Sequence, residues 1–391
     1  MSDESQTLLP WARARISPTL SGSAKSRALS RLMYEMGSGA WRLASALVLV
    51  LALLTPAWSR AKETPAPQTG PELQMDGGRK LTYEGSFSSE RELGKRGFWK
   101  KVLDVVVGEP DYRVLVRPYS IARDSHGRVI VTDPGAAGVH IFDFVEKKYK
   151  FLSRWDKGKD AMRTPQCVAV DAQDNIYVTD SVSGKIFVFE PGGKLRRVLG
   201  SIKGGEGYFK RPTGIAVDSA ANRIYLTDAL RNKIFILDLD GNILKSFGQW
   251  GSAPGEFNLP TEVLLRGDSI AVVDAMNFRV QFFERDGGYR FSIGTMGNRL
   301  GQMYRPKGVA FDSEGDLYVV EALGSAVQVF NLQGQLLYYF GQHGTGAGEF
   351  QLPAGLCIDH EDRIFVADSY NRRIQIFHYY GLPKQAAVRM P

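Results

Sequence analysis

The sequence predicts an all-β fold: a six-bladed β-propeller of four-stranded antiparallel blades, its ring closed by an N-terminal strand. Three observations carry this reading. One motif recurs six times at a near-constant period, the apolar residues inside each copy alternate with a period of two, and the last copy lacks its final strand. The copies read IVTDPGAAGVHIF, YVTDSVSGKIFVF, YLTDALRNKIFIL, AVVDAMNFRVQFF, YVVEALGSAVQVF and FVADSYNRRIQIF. Their acids, Asp133, Asp180, Asp228, Asp274, Glu321 and Asp368, stand 47, 48, 46, 47 and 47 residues apart.

Each copy opens on a proline (Pro118, Pro165, Pro212, Pro260, Pro306, Pro353) that starts a short apolar run such as GIAVD or GVAFD, the first strand. The second strand ends on the acid. The third carries a β-branched residue six positions after it (Val139, Ile186, Ile234, Val280, Val327, Ile374) and Phe or Leu nine positions after it (Phe142, Phe189, Leu237, Phe283, Phe330, Phe377). Copies two to five then end in LRRVLG, LKSFG, YRFSIG or LLYYFG, the fourth strand, with turns such as SAAN, ALRN and DLDG between strands. Four short strands in about 45 residues form one propeller blade. The sixth copy ends in HYYGLPKQ, so its outer strand must come from elsewhere. KLTYEGSF, Lys80–Phe87, matches it in alternation. FWKKVLDVVVG, Phe98–Gly108, has helical spacing instead and reads as a short amphipathic helix over one face.

Residues 1–59 read as a leader, 60–78 as a Pro-rich linker, 79–380 as the propeller and 381–391 as a tail. The apolar stretch Leu43–Leu54 is shorter than the roughly 20 residues that span a bilayer comfortably. It fits the apolar core of a signal peptide, with Ala57 and Ser59 placed for cleavage after Ser59; left uncleaved it would anchor the chain in the inner membrane. Met33 and Met36 offer internal starts, and from Met36 the segment reads as an ordinary signal peptide. The repeats are therefore expected outside the cytoplasm, periplasmic or secreted. The formal charge is +7, but the leader holds six Arg or Lys against three Asp or Glu. The mild excess left is no basic stripe of the kind nucleic-acid binding uses. Cys167 and Cys357 lie at non-equivalent offsets of copies two and six and read as buried thiols, not a disulfide.

The Pro-x-Gly inner run, the YVTD or YVAD strand, the Asn-Arg turn and the Phe-Gly strand end resemble the NHL repeat family over about residues 110–378. Copy six follows the pattern most fully. Copy one, with PGAAGVH, and copy five, with Glu321 and LGSA, depart from it. The resemblance implies a six-bladed ring acting as an interaction platform, including sensor domains outside bacterial membranes. Similar six-bladed propellers include amidating lyases and lactonases with a metal over the tunnel. RNA binding, known for some NHL domains, conflicts with export.

The six acids read as turn acids, accepting hydrogen bonds from the backbone of the turn that follows. Lys185, Lys233, Arg279 and Arg373, five residues after four of them, read as partners. The turn-bearing face collects Arg231, Lys233, Phe278, Arg279, Lys307, Tyr370, Arg372 and Arg373 as candidate binding residues, while hairpin turns such as DLDG, DSEGD and DHED make the other face acidic. One residue after each proline, Tyr119, Gln166, Thr213, Thr261, Lys307 and Ala354 are expected around the tunnel mouth. Arg266-Gly267-Asp268 reads as a hairpin turn, not an adhesion motif. His126, His140, His343, His360 and His378 show no metal spacing, so no metal or cofactor is expected.

These residues point first to a non-catalytic binding or scaffold module at the cell envelope, its partner an envelope protein or polysaccharide of anionic character. The alternative is a metal-dependent enzyme, lactonase- or lyase-like, with Glu262 and Glu321 considered near the tunnel. N-terminal sequencing of the protein from an envelope fraction is expected to begin near Arg60; a mature chain that retains Leu43–Leu54 makes the segment an anchor instead.

Overall fold

The computed structural model describes residues 70–93, 112–153 and 161–381. The leader, the helix expected at 98–108 and the tail beyond residue 381 lie outside them. Six antiparallel sheets form a ring, and the helical content of the described residues is limited to three short 3-10 turns. In blade three the four strands are Pro212–Asp218, Arg223–Asp228, Lys233–Leu237 and Ile243–Phe247, running outward in chain order. The innermost strands of the six blades are Ile121–Arg123, Pro165–Val170, Pro212–Asp218, Pro260–Arg266, Pro306–Phe311 and Leu356–Ile358. They meet one another in cyclic order and so line a central tunnel.

Blades stack face to face, which buries both faces of their middle strands and explains why these read as near-continuous apolar runs. All six β-branched residues of the third strands, Val139 through Ile374, are fully buried, and all six residues nine positions after the acids are at most 5% exposed. Each such side chain contributes roughly 1.5–3 kcal/mol by leaving water. Polar pins join blades as well: the Thr132 hydroxyl donates to the carbonyl of Gln166 (2.7 Å), and Thr179 donates to that of Thr213 (2.6 Å). Beneath the glycine-rich crossings Phe257, Met303 and Phe350 are fully buried. A side chain at Gly341 would collide with the Phe350 ring, and its φ of 93° is left-handed, so the Phe-Gly strand end needs glycine there.

Lys80–Phe87 lies antiparallel to Arg373–Tyr380, from Lys80 opposite Tyr380 to Phe87 opposite Ile374, with a bulge between Tyr83 and Gly85. Leu81 and Phe87 are buried against blades six and one. The stretch read as linker is shorter than expected. Glu72–Gln74 pairs with Lys80–Thr82 as a fifth strand, because Gly77 and Gly78 (φ 75° and 83°) turn the chain back on itself.

A chain starting after residue 93 should melt about 10 °C or more below one starting at residue 70, because several buried side chains lose their cover and an edge strand is exposed. Thermal unfolding followed by circular dichroism reads this directly; equal midpoints would show that Lys80–Phe87 is dispensable for closing the ring.

Candidate functional site

The repeated acids organise the face where the tunnel opens. Five of them are fully buried and Glu321 is 4% exposed. Several accept from the turn that follows: the amide of Ala136 donates to Asp133 (2.9 Å) and that of Ser183 to Asp180 (2.8 Å). They also hold the segment that enters the inner strand some sixteen residues earlier, a contact the sequence reading did not foresee. The amides of Arg117, Thr164, Arg211 and Arg305 donate to Asp133, Asp180, Asp228 and Glu321 at 2.9, 2.7, 3.0 and 2.9 Å. Asn258 and Gln351 do the same to Asp274 (2.7 Å) and Asp368 (2.8 Å).

In blades one, three and five the residue so held, just before the anchor proline, is an arginine. Arg117, Arg211 and Arg305 are exposed and stand on alternate blades. Among the described residues none of them is paired with an acid; Arg117 lies over the Tyr370 ring (5.3 Å) and Arg305 reaches Met276. Lys307 joins them, half-buried, its ammonium 5.4 Å from the Tyr119 ring. Burial, reinforced by the charges of Arg305 and Arg117, lowers the Lys307 pKa to about 8. Tyr119 is shifted upward by burial and by Glu262 and Cys167, with Arg211 and Arg305 acting in the opposite sense. Tyr119 thus stands between a cationic mouth and a carboxylate below it.

Two residues after each proline the inner strands come into backbone contact. A β-carbon at Gly214 would lie 2.5 Å from the Glu262 Cα, and one at Gly355 would collide with the Tyr119 carbonyl. The side chains present at this level are Ser120, Cys167 and Glu262. The Ser120 hydroxyl is 3.3 Å from the Cys167 sulfur, whose thiol donates to Glu262 (3.1 Å). Burial raises the Glu262 pKa to about 7, against the opposing effect of the Cys167 bond and the Val263 amide. Burial also lifts the Cys167 pKa well above its ordinary value, so the thiol serves as a donor rather than a nucleophile. The tunnel, a cavity of about 330 Å³, continues as an apolar bore past Ala122, Ala169, Val217, Leu264, Phe311 and Ile358.

Of the eight candidate residues, the structure brings Lys307 to the mouth and joins Tyr370 to it through Arg117. Arg279 and Arg373 are ion-paired with the turn acids Asp274 and Asp368 (2.9 and 2.8 Å). Arg231 stacks on Tyr208 (4.6 Å) and donates to its carbonyl (2.8 Å). Lys233 begins a third strand. Phe278 and Arg372 sit in left-handed turns (φ 57° and 55°), Phe278 stacked near Tyr304. The expected mouth ring is less polar than its sequence: Ala354 is buried, and Thr213 turns into the blade interface, bonded to Thr227 (2.7 Å) and the Pro260 carbonyl (3.1 Å). Gly267 and Asp268 form the predicted hairpin turn. Glu321 belongs to the turn clamp, away from Glu262. The histidine spacing hid one convergence, Asp124, His126 and Asp174, because the three come from turns of neighbouring blades; their donor atoms lie within 4.8 Å. Both carboxylates there are engaged, Asp124 by the amides of His126 and Arg128 and Asp174 by Ser125. Arg117, Arg211 and Arg305 were missed, although their spacing of 94 residues, each directly before an anchor proline, is visible in the sequence.

A ring of six four-stranded blades around a lined tunnel defines the chain as a six-bladed β-propeller. A family model described as a 6-bladed beta-propeller matches residues 164–249, and one for the NHL repeat matches residues 350–377. The chain is a six-bladed β-propeller that carries an NHL repeat at residues 350–377. No curated protein matches its sequence. Among solved structures it is similar to an auxiliary nutrient binding protein from Bacteroides ovatus (12% identity, 68% of this chain and 70% of that one, TM-score 0.54). It is also similar to one from Bacteroides thetaiotaomicron (14%, 68% and 70%, TM-score 0.53) and to a streptogramin B lyase (16%, 68% and 94%, TM-score 0.50). At these identities the likeness is one of fold.

Glu262 keeps its proton in the folded chain up to about pH 7, whereas an unfolded glutamate loses it near 4.3. Between those values the folded chain binds more protons, so this group's contribution to stability falls as pH rises through the window. Glu262→Gln, which retains an acceptor for Cys167, should therefore raise the melting temperature by several degrees at pH 8 and leave it unchanged near pH 4. A variant no more stable at pH 8 than the parent would mean that Glu262 is well solvated.

Proposed function

We propose that this propeller is a non-catalytic binding module of the cell envelope that seats an anionic ligand, part of an envelope protein or polysaccharide, over the tunnel mouth on its turn-bearing face. The observation that supports it is the set of three exposed arginines without acidic partners, fixed by their own backbone amides on buried acids, around the half-buried Lys307. Guanidinium groups suit carboxylate and phosphate because they present a planar fork of donors. Four positive charges at one opening also raise the local concentration of an anion. Export, which would place this face before envelope ligands, rests on the leader.

A catalytic reading has one observation in its favour, Glu262 poised near neutrality inside the tunnel beside Cys167. Nutrient binding and lyase chemistry both occur on similar folds, so the fold does not choose between them.

The triple variant Arg117→Ala, Arg211→Ala, Arg305→Ala should fold normally, since the clamp uses main-chain amides, and should lose retention on a heparin column at low salt that the parent shows. Asp240→Ala with Asp286→Ala, on the hairpin side, is the control. Retention unchanged in the arginine triple would remove the mouth as the anion site.

A further inference from the structure

Blade five departs from its neighbours beside its turn acid. In blades four and six a guanidinium fills this place. Arg279 puts Nε on Asp274 (2.9 Å) and Nη2 on the carbonyls of Ala253 and Glu256 (2.9 and 3.0 Å). Arg373 puts Nε on Asp368 (2.8 Å) and Nη2 on the carbonyls of Gly346 and Glu349 (2.6 and 2.9 Å). Asn277 and Asn371 complete the two clusters, each donating to its acid at 2.8 Å. The corresponding residues of blade five are Ala326 and Gly324. A cavity of about 380 Å³ occupies the space, bounded by the crossing Gly297–Gln302 and by Glu321, Ala326 and Gln328.

The acceptors that would receive a guanidinium are still there. Gln328 donates to the Gln302 carbonyl (2.8 Å), as Gln281 and Gln375 donate to those of Glu256 and Glu349 (2.7 and 2.6 Å), so the crossing keeps its position. Glu321 accepts the amides of Tyr304 and Arg305 on Oε2 (3.2 and 2.9 Å), while its Oε1 is buried without a hydrogen-bond partner. In blade one His140 approaches Asp133 (3.5 Å), and in blade three Arg231 approaches Asp228 (3.7 Å). Among the described residues Glu321 forms no ion pair; Arg299 lines the same cavity but is solvent-exposed, and burial holds the Glu321 pKa above the ordinary glutamate range. A buried carboxylate oxygen left unmatched is destabilising, a loss that an incoming cation would recover. Leu300, Tyr304 and Leu323, at 56, 47 and 54% exposure, rim the opening with apolar surface suited to a methylene stem and the face of a cation.

We infer that blade five holds a receptor slot for a guanidinium group supplied from outside the chain, as an arginine side chain of a partner polypeptide or as a free guanidino compound, with Glu321 as its counter-ion. The slot is the repeat's own arginine site with the arginine removed. It favours the planar fork over an ammonium because in blades four and six one guanidinium reaches the turn carboxylate through Nε and two crossing carbonyls through Nη2. It lies on blade five and takes a cation, whereas the mouth is proposed to take an anion; the two are linked through Glu321, which also holds the Arg305 amide (2.9 Å).

The test is calorimetric titration of the full chain with N-acetyl-arginine amide, free arginine and N-acetyl-lysine amide. The capped arginine should bind at one site per chain, with the capped lysine about tenfold weaker or more. Glu321→Gln, whose side-chain carbonyl can still accept the two amides, should weaken the capped arginine at least about tenfold. Ala326→Arg should abolish binding and raise the melting temperature by several degrees, since the slot is then filled from within. Free arginine binding about as tightly as the capped form assigns the slot to a polypeptide side chain; free arginine binding about tenfold more tightly assigns it to a small guanidino compound. No binding of either arginine form up to about 50 mM, or binding unchanged by Glu321→Gln, overturns the proposal. The Glu321→Gln result stands even where Ala326→Arg fails to fold.

Discussion

A buried carboxylate at the end of the second strand is the constraint on which the rest of this ring depends. Removing a carboxylate from water costs several kcal/mol unless hydrogen bonds replace the water, and here backbone amides replace it. Those amides come from two places: the turn leaving the second strand and the crossing that arrives from the preceding blade. One side chain therefore fixes both the turn within a blade and the junction between blades. That is why an acid recurs at every 46 to 48 residues while the outer strands vary freely. Blades four and six carry the arrangement furthest, with Asn, Arg and Gln side chains all meeting the same carboxylate oxygen.

The clamp also decides what the tunnel mouth presents. In blades one, two, three and five it grips the main chain of the residue before the anchor proline, so its hold does not use that residue's side chain. In blades one, three and five this freedom is used by arginine. Just inside, close approach of the inner strands demands glycine at Gly214, Gly308 and Gly355, so only blades one, two and four have a side chain to place there. The result is a vertical sequence of cationic mouth, tyrosine, one near-neutral carboxylate and apolar bore. Lys307 and Glu262 are each pushed toward their neutral forms chiefly by the same cause, burial.

The fold was legible in the sequence because each of its requirements repeats. The β-branched and aromatic positions of the third strands are core residues in all six blades, and KLTYEGSF was recognisable as a strand because its alternation matches the outer strands of the other copies. The site was less legible, for a physical reason. A repeat pattern identifies side chains that every blade needs, and such side chains are consumed by the scaffold. Arg231, Arg279 and Arg373 looked like surface cations in the one-dimensional pattern but are held by Tyr208, Asp274 and Asp368. The long-range partner of each acid lies sixteen or seventeen residues back along a crossing with no fixed composition, so nothing local announces it.

In a repeat array, then, the informative positions are those where the common solution is broken while its geometry is kept. Glu262 stands where three of the six blades have glycine, and it puts a carboxylate into a tunnel that backbone contact otherwise narrows. Ala326 stands where its neighbours have arginine, and the carboxylate and crossing built to receive that arginine persist around the space. A lone acid in an irregular protein invites many accounts. Here two neighbouring blades of the same chain display what the missing group looks like, down to the atoms it would touch. The ring thus contains its own controls: where a blade conforms, its polar residues are explained by folding, and where it departs without compensation, the uncompensated group is the place to look for a ligand.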